Sequence, residues 1–292
     1  MRYQSPESFM SAVEARLRSG ASGSQTDLLR ARRIVVFERA LARLAVNQPG
    51  AWVLKGGAAL EFRLNDRARA TKDVDVAFSG AEPAEAAVDA LIDALDHDPF
   101  GDWFSFQVIR PRTLSTETER GAVVRLTLEA KIGGRRFESV VVDLVSSEGA
   151  PINHDTLTVG YHVAFAELPL VDIDVIDLRT HWAEKLHAYC RRFDDRENTR
   201  VKDLVDLVLL IDHGVVADAQ LYRVVEATFR PRPEPIPGRA VPSMADAWAD
   251  RFAELATEIG LHTVDAHQAH HVVEQFWCQV LEAVHSPNPD LI

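Results

Sequence analysis

The chain of 292 residues is 47% hydrophobic and 26% charged, which is typical of a globular protein long enough for one large or two ordinary domains. Its formal net charge of −12 argues against broad, nonspecific nucleic-acid binding, and we expect no stable DNA binding. Two cysteines cannot build a disulfide framework and no apolar run could span a bilayer, so we expect a cytoplasmic protein with no signal peptide and no membrane partner.

Hydrophobic spacing predicts strands and helices in the first part of the chain and helices from about residue 177 to the end. The expected helices of the first part lie at 6–19, at 25–46, from about Ala58, and from Glu82-Pro83-Ala84 to about Leu95. The expected strands lie at 52–54, around the Asp-x-Asp string at 73–75, and at 104–110, 122–131 and 136–145, with Gly133-Gly134 as a hairpin turn. Residues 151–176 give only a weak signal, and 231–238 are expected to form an extended proline-rich loop.

The most informative motif is a Lys-Gly-Gly turn followed by a strand that carries Asp-Val-Asp. Asp73 and Asp75 alternate along that strand, so both carboxylates leave the same face, roughly 7 Å apart. Gly56 and Gly57 after Lys55 allow close backbone approach, and the helix after them offers its N-terminus to phosphates. This layout predicts a nucleotidyltransferase site, in which the turn holds a triphosphate and the two acids hold its Mg²⁺. The alternative is an ordinary turn followed by a strand that ends in solvated acids.

A third acid is expected in the apolar strand 136–145. A desolvated carboxylate is costly unless it is paired or bound to metal, and Asp143 lies in the apolar stretch of this strand. We therefore predict that Asp143 shares a metal with the first two acids and accepts the proton of an attacking hydroxyl. The alternative is a strand end that turns into the Ser-Ser-Glu-Gly loop after it.

Two expected helices beyond residue 177 carry a second group of charges. Lys185 and Arg192 share one face of the first helix, and Asp203 and Asp206 share one face of the second. By themselves, charges beside apolar stripes are usually helix edges in water.

The four motifs Lys-Gly-Gly, Arg-x-Thr-x-Asp-Val-Asp, Glu-Lys-Leu-x-Ala-x-x-x-Arg and Arg-x-x-Asp-Leu-Val-Asp-Leu, in this order over about 50–212, resemble the AbiEii/AbiGii toxin family. Its members, which include the MenT group, are nucleotidyltransferases of toxin–antitoxin and phage-abortive systems. The resemblance implies an α+β fold, with a DNA-polymerase-β-like core of mixed sheet and flanking helices plus a helical C-terminal domain that completes the active site. We expect N-terminal helices over 1–48, the core over 49–170 and the helical domain over 171–292. The resemblance also implies Mg²⁺ or Mn²⁺, an NTP substrate and a cognate antitoxin.

For the first two motifs, the resemblance places the glycine turn along the triphosphate and gives the metal to Asp73 and Asp75. Arg69 and Thr71 begin the second motif and would touch phosphate, and Thr71 is also a candidate for an inactivating modification. The wider polymerase-β pattern commonly has Gly-Ser at the turn, where this chain has Ala58 after its glycines. The serine contact to phosphate is thus missing, and we expect the lysine of the turn to replace it by charge.

For the last two motifs, the resemblance gives Lys185 a contact to the nucleotide phosphates and makes Asp203 a further site acid. Asp206 lies close behind it, and both acids fit the spacing of the motif.

The acceptor that the resemblance implies is the 3′ end of tRNA, where added nucleotides would block aminoacylation and stop translation. Transfer of a nucleotidyl or γ-phosphoryl group to a protein or small molecule is an alternative. Another is a catalytically idle, nucleotide-binding regulatory subunit. Clustered acids at Asp73, Asp75 and Asp143 count against the idle subunit, because such carboxylates are costly to keep together.

Arginines make the first fifty residues net basic, and a second basic stretch lies beside the proposed catalytic helices. A basic rim around an acidic metal site would suit an RNA end. For the N-terminal run, which includes Arg39 and Arg43, we expect an ordinary solvated helix face. The second stretch consists of Arg191, Arg192, Arg196, Arg200 and Lys202.

Overall fold

A computed structural model describes residues 1–21, 24–64, 67–71, 73–79, 84–114, 123–146, 152–191 and 200–285. The chain divides into two units, Met1–Arg63 with Ala70–Ile176, and Leu64–Arg69 with Asp177–Ile292. Within the described stretches, no helix combines the length and the apolar character that crossing a membrane requires.

The first unit is built on a seven-stranded mixed sheet. Its elements in chain order are α1 (Pro6–Gly20), α2 (Gln25–Asn47), β1 (Trp52–Lys55), α3 (Gly56–Leu64), β2 (Asp73–Phe78), α4 (Ala84–Asp96), β3 (Phe104–Leu114), β4 (Val123–Ile132), β5 (Arg135–Ser146), β6 (His154–Val159), a 3-10 helix (Tyr161–Ala166) and β7 (Val171–Ile176). The strand order is β3-β4-β5-β2-β1-β7-β6. The pairs β2/β5 and β1/β7 are parallel, and the others are antiparallel.

The expected α+β class, the mixed sheet and the predicted strands are confirmed. Strands β6 and β7 are additional, because they lie in the stretch 151–176 for which no strand was predicted. Glu82, Pro83 and residue 122, which belong to predicted elements, lie outside the described residues.

The sheet has one covered face and one more open face, which follows from the alternation of its side chains. In β4 every second residue is buried, and these apolar residues point toward the helices. The hairpin between β4 and β5 turns at Gly133 and Gly134, whose φ angles of 55° and 77° are those of a type I′ turn, as predicted. The buried residues of β4 are Val124, Leu126, Leu128, Ala130 and Ile132.

Helices α2 and α4 cover the buried face of the sheet. Phe37 of α2 and Leu91 of α4 line an apolar gap together with Val74 of β2 and Val142 of β5. Burial of each such side chain contributes about 1.5–3 kcal/mol, so this layer fixes which face of β2 and β5 stays open. The acids of β2 alternate with its buried valines and therefore project from the open face.

Two arginines of α2 are buried, so the expected solvated helix face is wrong for them. Arg39 and Arg43 are 0% and 1% exposed, and both bind Asp102, which is 0% exposed. Arg39 Nε donates to Asp102 Oδ2 at 2.7 Å, and Arg43 Nη2 donates to Oδ1 at 2.9 Å. Arg43 also donates to the carbonyls of Leu95 and Phe104. These hydrogen bonds join α2 to the end of α4 and to the start of β3.

The second unit is helical in its described residues, as predicted for the chain after 176. Its helix α5 begins after Asp177, whose carboxylate accepts hydrogen bonds from the N–H groups of Arg179 and Thr180. Trp277 packs against Trp182 in its core and donates its indole N–H to the carbonyls of Pro237 and Gly238. These residues end the proline-rich stretch 231–238, which is a loop as predicted but begins with a turn and bends and is not extended throughout. The helices are α5 (Leu178–Cys190), α6 (Val201–Asp212), α7 (Ala219–Phe229), a 3-10 helix (Asp246–Trp248), α8 (Ala249–Glu258) and α9 (Ala266–His285).

We predict that Asp102→Ala lowers the free energy of unfolding by about 3–5 kcal/mol, because the buried guanidinium of Arg39 loses its anion and that of Arg43 keeps only the more exposed Asp98. Chemical denaturation measures this change. The control is Glu226→Ala, which removes an exposed ion pair with Arg230 and should cost less than about 1 kcal/mol. Equal, small losses in the two variants would contradict the structural role of Asp102.

Candidate active site

Five charged residues lie in one row across the open face of the sheet. Residues directly opposite each other on neighbouring strands project from the same face, and the row follows from four such pairings. We call these five residues the charged row, and from β3 to β1 they are Arg112, Arg125, Asp143, Asp75 and Lys55. Asp73 lies two residues before Asp75 on β2 and therefore projects from the same face, but it is not part of the row.

The turn after β1 is shaped around Asp75. Gly56 has φ +61°, a left-handed conformation that side chains disfavour. A β-carbon at this position would overlap the Asp75 carboxylate, so the acid lies directly against the turn backbone. Gly57 and Ala58 continue into the first turn of α3 and are buried. The acid and the N-terminus of α3 are therefore held together, and the binding of phosphate and metal at this place stays a prediction.

Asp143 is paired with an arginine that the sequence did not single out. Arg125 of β4 donates from Nε to Asp143 Oδ1 at 2.7 Å and from Nη2 to Oδ2 at 2.6 Å. The side chain of Asp143 is 13% exposed and that of Arg125 47%. Hydrogen bonding to Asp143 raises the pKa of Arg125, and the charges of Asp73 and Asp75 raise it further. Arg125 thus experiences all three carboxylates predicted at this site.

The donor set of the open face suits a hard cation. Asp73 and Asp75 offer carboxylate oxygens from one strand face, the ligand type that Mg²⁺ and Mn²⁺ prefer. Among the described residues, no group of three or more His, Cys, Asp or Glu side chains is arranged to hold a metal ion. Metal binding by Asp143 stays a prediction, since both of its oxygens accept hydrogen bonds from Arg125.

Thr71 fixes the start of β2. Its hydroxyl donates to the carbonyl of Asp73 at 3.1 Å, and its backbone N–H donates to Glu61 Oε2 at 3.4 Å. Thr71 is 9% exposed. In this arrangement Thr71 positions the first acid. Its contact to phosphate and its modification stay predictions, and both require its hydroxyl to leave Asp73.

The second unit brings together the other predicted site residues. Lys185 of α5 lies with its Nζ 2.8 Å from Asp206 Oδ2 and 3.2 Å from Asp203 Oδ1 on α6. Arg69 donates to both oxygens of Asp206, at 2.9 and 2.7 Å. Asp203 also lies 3.5 Å from Arg200. The two acids, three residues apart on α6, therefore lie close to three cations.

Burial and charge set the protonation of this cluster. Burial raises the pKa of Asp206, but the charges of Lys185 and Arg69 outweigh it and hold the pKa at about 2. Burial lowers the pKa of Lys185, and the charges of Asp206 and Asp203 raise it to about 12. Lys185 is thus a fixed cation at neutral pH, and Asp206 is a fixed anion.

Arg125 and Arg112 have only a weak signal in the sequence. In β4 the side chains on the open face include Arg125, Glu129 and Lys131, which alternate with buried apolar residues. Such alternation shows that the face is polar, but the partner of each charge depends on strand pairing. Of the predicted second basic stretch, Arg192 and Arg196 lie outside the described residues.

A family model described as Nucleotidyl transferase AbiEii toxin, Type IV TA system matches residues 39–277, which is more than half of the chain. The match spans both predicted acid clusters and the glycine turn. No curated protein matches the chain.

We predict that Gly56→Ala lowers the free energy of unfolding by about 1–3 kcal/mol, because alanine is strained at this φ and displaces Asp75. Nucleoside triphosphate should also fail to raise the melting temperature of this variant. Gly20→Ala is the control, since nothing lies within 4 Å of its new methyl group. If both variants unfold like the wild type, the described turn geometry is wrong.

We predict that Asp206→Asn destabilises the protein by about 3 kcal/mol at neutral pH. Because the folded-state pKa of Asp206 is depressed, its contribution is present above its unfolded pKa of about 4 and is lost as pH falls through about 2. The difference in unfolding free energy between wild type and variant should therefore be constant from pH 5 to 8 and shrink in acid. A difference that stays unchanged down to pH 2 would contradict this ionisation.

Proposed function

Because the chain belongs to the AbiEii family of nucleotidyl transferase toxins, we propose that it transfers a nucleoside monophosphate from an NTP to the 3′ end of tRNA. The observation that supports this most directly is the charged row, in which a cation and a glycine turn flank acids on an open sheet face. A type IV toxin–antitoxin family also implies an antitoxin partner. Added nucleotides would block aminoacylation of the tRNA and stop translation.

The triphosphate binds on the Lys55 side of the acids. Lys55 is the direct strand partner of Asp75, and Gly56 follows it at the N-terminus of α3. Helix N-termini present N–H groups and a partial positive charge, both of which favour phosphate. Lys55 adds a full charge at the place where the wider pattern has a serine hydroxyl.

Asp73 and Asp75 hold the divalent ion that accompanies the nucleotide. When bound, Mg²⁺ or Mn²⁺ neutralises charge on the phosphates and on the leaving pyrophosphate. Asp75 is held against the turn backbone, and Thr71 holds the carbonyl of Asp73. Both acids are thus positioned before the substrate arrives, which is the condition for electrostatic catalysis.

Asp143 accepts the proton of the acceptor hydroxyl. The hydroxyl oxygen forms a bond to the α-phosphorus, the bond from that phosphorus to the bridging oxygen of the β-phosphate breaks, and pyrophosphate leaves. Asp143 is the register partner of Asp75, so its carboxylate projects beside the metal-binding acids. Each oxygen of Asp143 accepts one hydrogen bond from Arg125, so the proton goes to a lone pair that Arg125 does not occupy or to one that Arg125 has released.

In the second unit, we assign charge stabilisation to Lys185 and a positioning role to Asp206. Lys185 keeps its proton at neutral pH, so it acts as a cation toward phosphate and not as a base. Asp206 is 0% exposed and bound by Arg69 and Lys185, which leaves it little capacity for a substrate. Asp203 lies farther from its cationic partners than Asp206 does, so Asp203 is the better candidate for the further site acid. The phosphate contact of Arg69 requires that it leave Asp206.

The proposal predicts that purified protein with Mg²⁺ and tRNA incorporates label from an NTP labelled at the α-phosphate. Asp73→Asn should lower incorporation by about 100-fold or more, because it removes a charged ligand at the reacting centre. The matched control is Asp172→Asn on β7, an acid of the same sheet that accepts a hydrogen bond from Thr158 outside the charged row.

Each other outcome of this assay has a distinct meaning. Label transferred only from the γ-phosphate would make the protein a kinase. Label that reaches protein or small molecules but not tRNA would overturn the RNA acceptor and keep nucleotidyl transfer. No label in any acceptor would support a catalytically idle nucleotide-binding subunit.

A further inference from the structure

Two arginines of the charged row make no contact to the nucleotide or the metal in the reaction described above. Arg125 and Arg112 lie side by side on β4 and β3, next to Asp143 and on the opposite side of the acids from Lys55. Neighbouring strands lie about 4.8 Å apart, so the two guanidinium groups can reach the same phosphate or adjacent phosphates.

The strand that carries Arg112 is distorted immediately before it. The pairing of β3 with β4 shifts between Ile109 and Arg112, and Arg110 inside this bulge has φ +53°. A bulge changes which side chains face the partner strand, and here the register resumes with Arg112 opposite Arg125. Bulges and left-handed residues that cost free energy are common at functional sites. The arginine pair is thus the product of a local deviation from regular strand geometry.

The geometry of the reaction assigns the two sides of the acids to different substrates. In phosphoryl transfer the attacking and leaving oxygens lie roughly in line on opposite sides of the phosphorus. If the leaving pyrophosphate lies toward Lys55 and the α3 N-terminus, the acceptor hydroxyl approaches from the Arg125 side. An acceptor RNA brings its own negative charges along this path.

We propose that Arg125 and Arg112 bind the phosphodiester backbone next to the 3′ hydroxyl of the acceptor RNA, and that Arg125 leaves Asp143 when it does so. This inference rests on the proposed function and names the residues that recognise its acceptor. Arg125 exchanges one bidentate anion for another, because guanidinium binds carboxylate and phosphate with the same fork of N–H donors.

The exchange couples the binding of the acceptor RNA to the hydrogen bonding of the Asp143 carboxylate. Without RNA, each carboxylate oxygen of Asp143 accepts a hydrogen bond from Arg125, which occupies one lone pair on each oxygen. With RNA bound, these lone pairs are released on the side of the acceptor hydroxyl.

The first test is RNA binding without metal or nucleotide, measured by fluorescence anisotropy with a labelled hairpin that has a single-stranded 3′ end. We expect Arg125→Gln and Arg112→Gln each to weaken binding about tenfold. Each should also lower the slope of log affinity against log salt by about 0.7, the contribution of one phosphate contact to a single strand. The control is Arg18→Gln, the same change on the exposed end of α1, which should change neither quantity.

Steady-state kinetics of tRNA modification is the second test. The KM for tRNA should rise about tenfold in Arg125→Gln and Arg112→Gln, while the KM for the NTP stays within about twofold of the wild type. A purely structural ion pair with Asp143 would change kcat or stability and leave the salt slope and the KM for tRNA unchanged. That result, or a rise in the KM for the NTP alone, would overturn the inference.

The two hypotheses fail in different ways. If the wild type transfers nucleotides to tRNA and both arginine variants bind and use RNA normally, only the acceptor assignment is wrong. If the wild type transfers nucleotides to another acceptor and does not bind the hairpin, the RNA acceptor is wrong and the assignment falls with it. Arg112→Gln alters an exposed residue outside the Asp143 pair, so it remains a test if Arg125→Gln folds poorly.

Discussion

The parallel pairing of β2 with β5 is the constraint on which the candidate active site depends. Its register places Asp75 directly beside Asp143, and the antiparallel neighbours then add Lys55 on one side and Arg125 on the other. A slip of β2 by one residue would turn Asp73 and Asp75 toward the helices. The buried valines of β2 and β5 prevent that slip, so the apolar core determines where the charges lie.

The charges of the two units differ in how they are used. In the second unit, Asp206 is fully buried and has a depressed pKa, because two cations bind it. On the sheet, the Arg125 side chain is 47% exposed, and that of its partner Asp143 is 13% exposed. Exchange of ion-pair partners costs little free energy where water reaches the groups and much more where it does not. Arg125 can therefore exchange its partner more readily than the cations of the helical cluster can.

Much of the fold could be predicted from local patterns, and long-range pairing accounts for what could not. The alternation of β4 and the glycine pair at Gly133 and Gly134 sufficed to predict a hairpin. Strands β6 and β7 were not predicted, although apolar residues of β7 alternate with Asp172 and Asp174, because each strand has only six residues and β6 is a half-exposed edge strand. The ion pair of Arg43 with Asp102 joins distant parts of the sequence, and no spacing rule indicates it. The pairing of Arg125 with Asp143 depends on a register shift in the hairpin between Ala130 and Lys131, which the sequence does not indicate.

A crystal structure with Mn²⁺ and an NTP that cannot be cleaved between its α- and β-phosphates tests the central claim most directly. We expect anomalous signal from Mn²⁺ beside Asp73 and Asp75, with the triphosphate directed toward Lys55 and the N-terminus of α3. Nucleotide or metal bound away from this face of the sheet would contradict the assignment of the charged row as the active site.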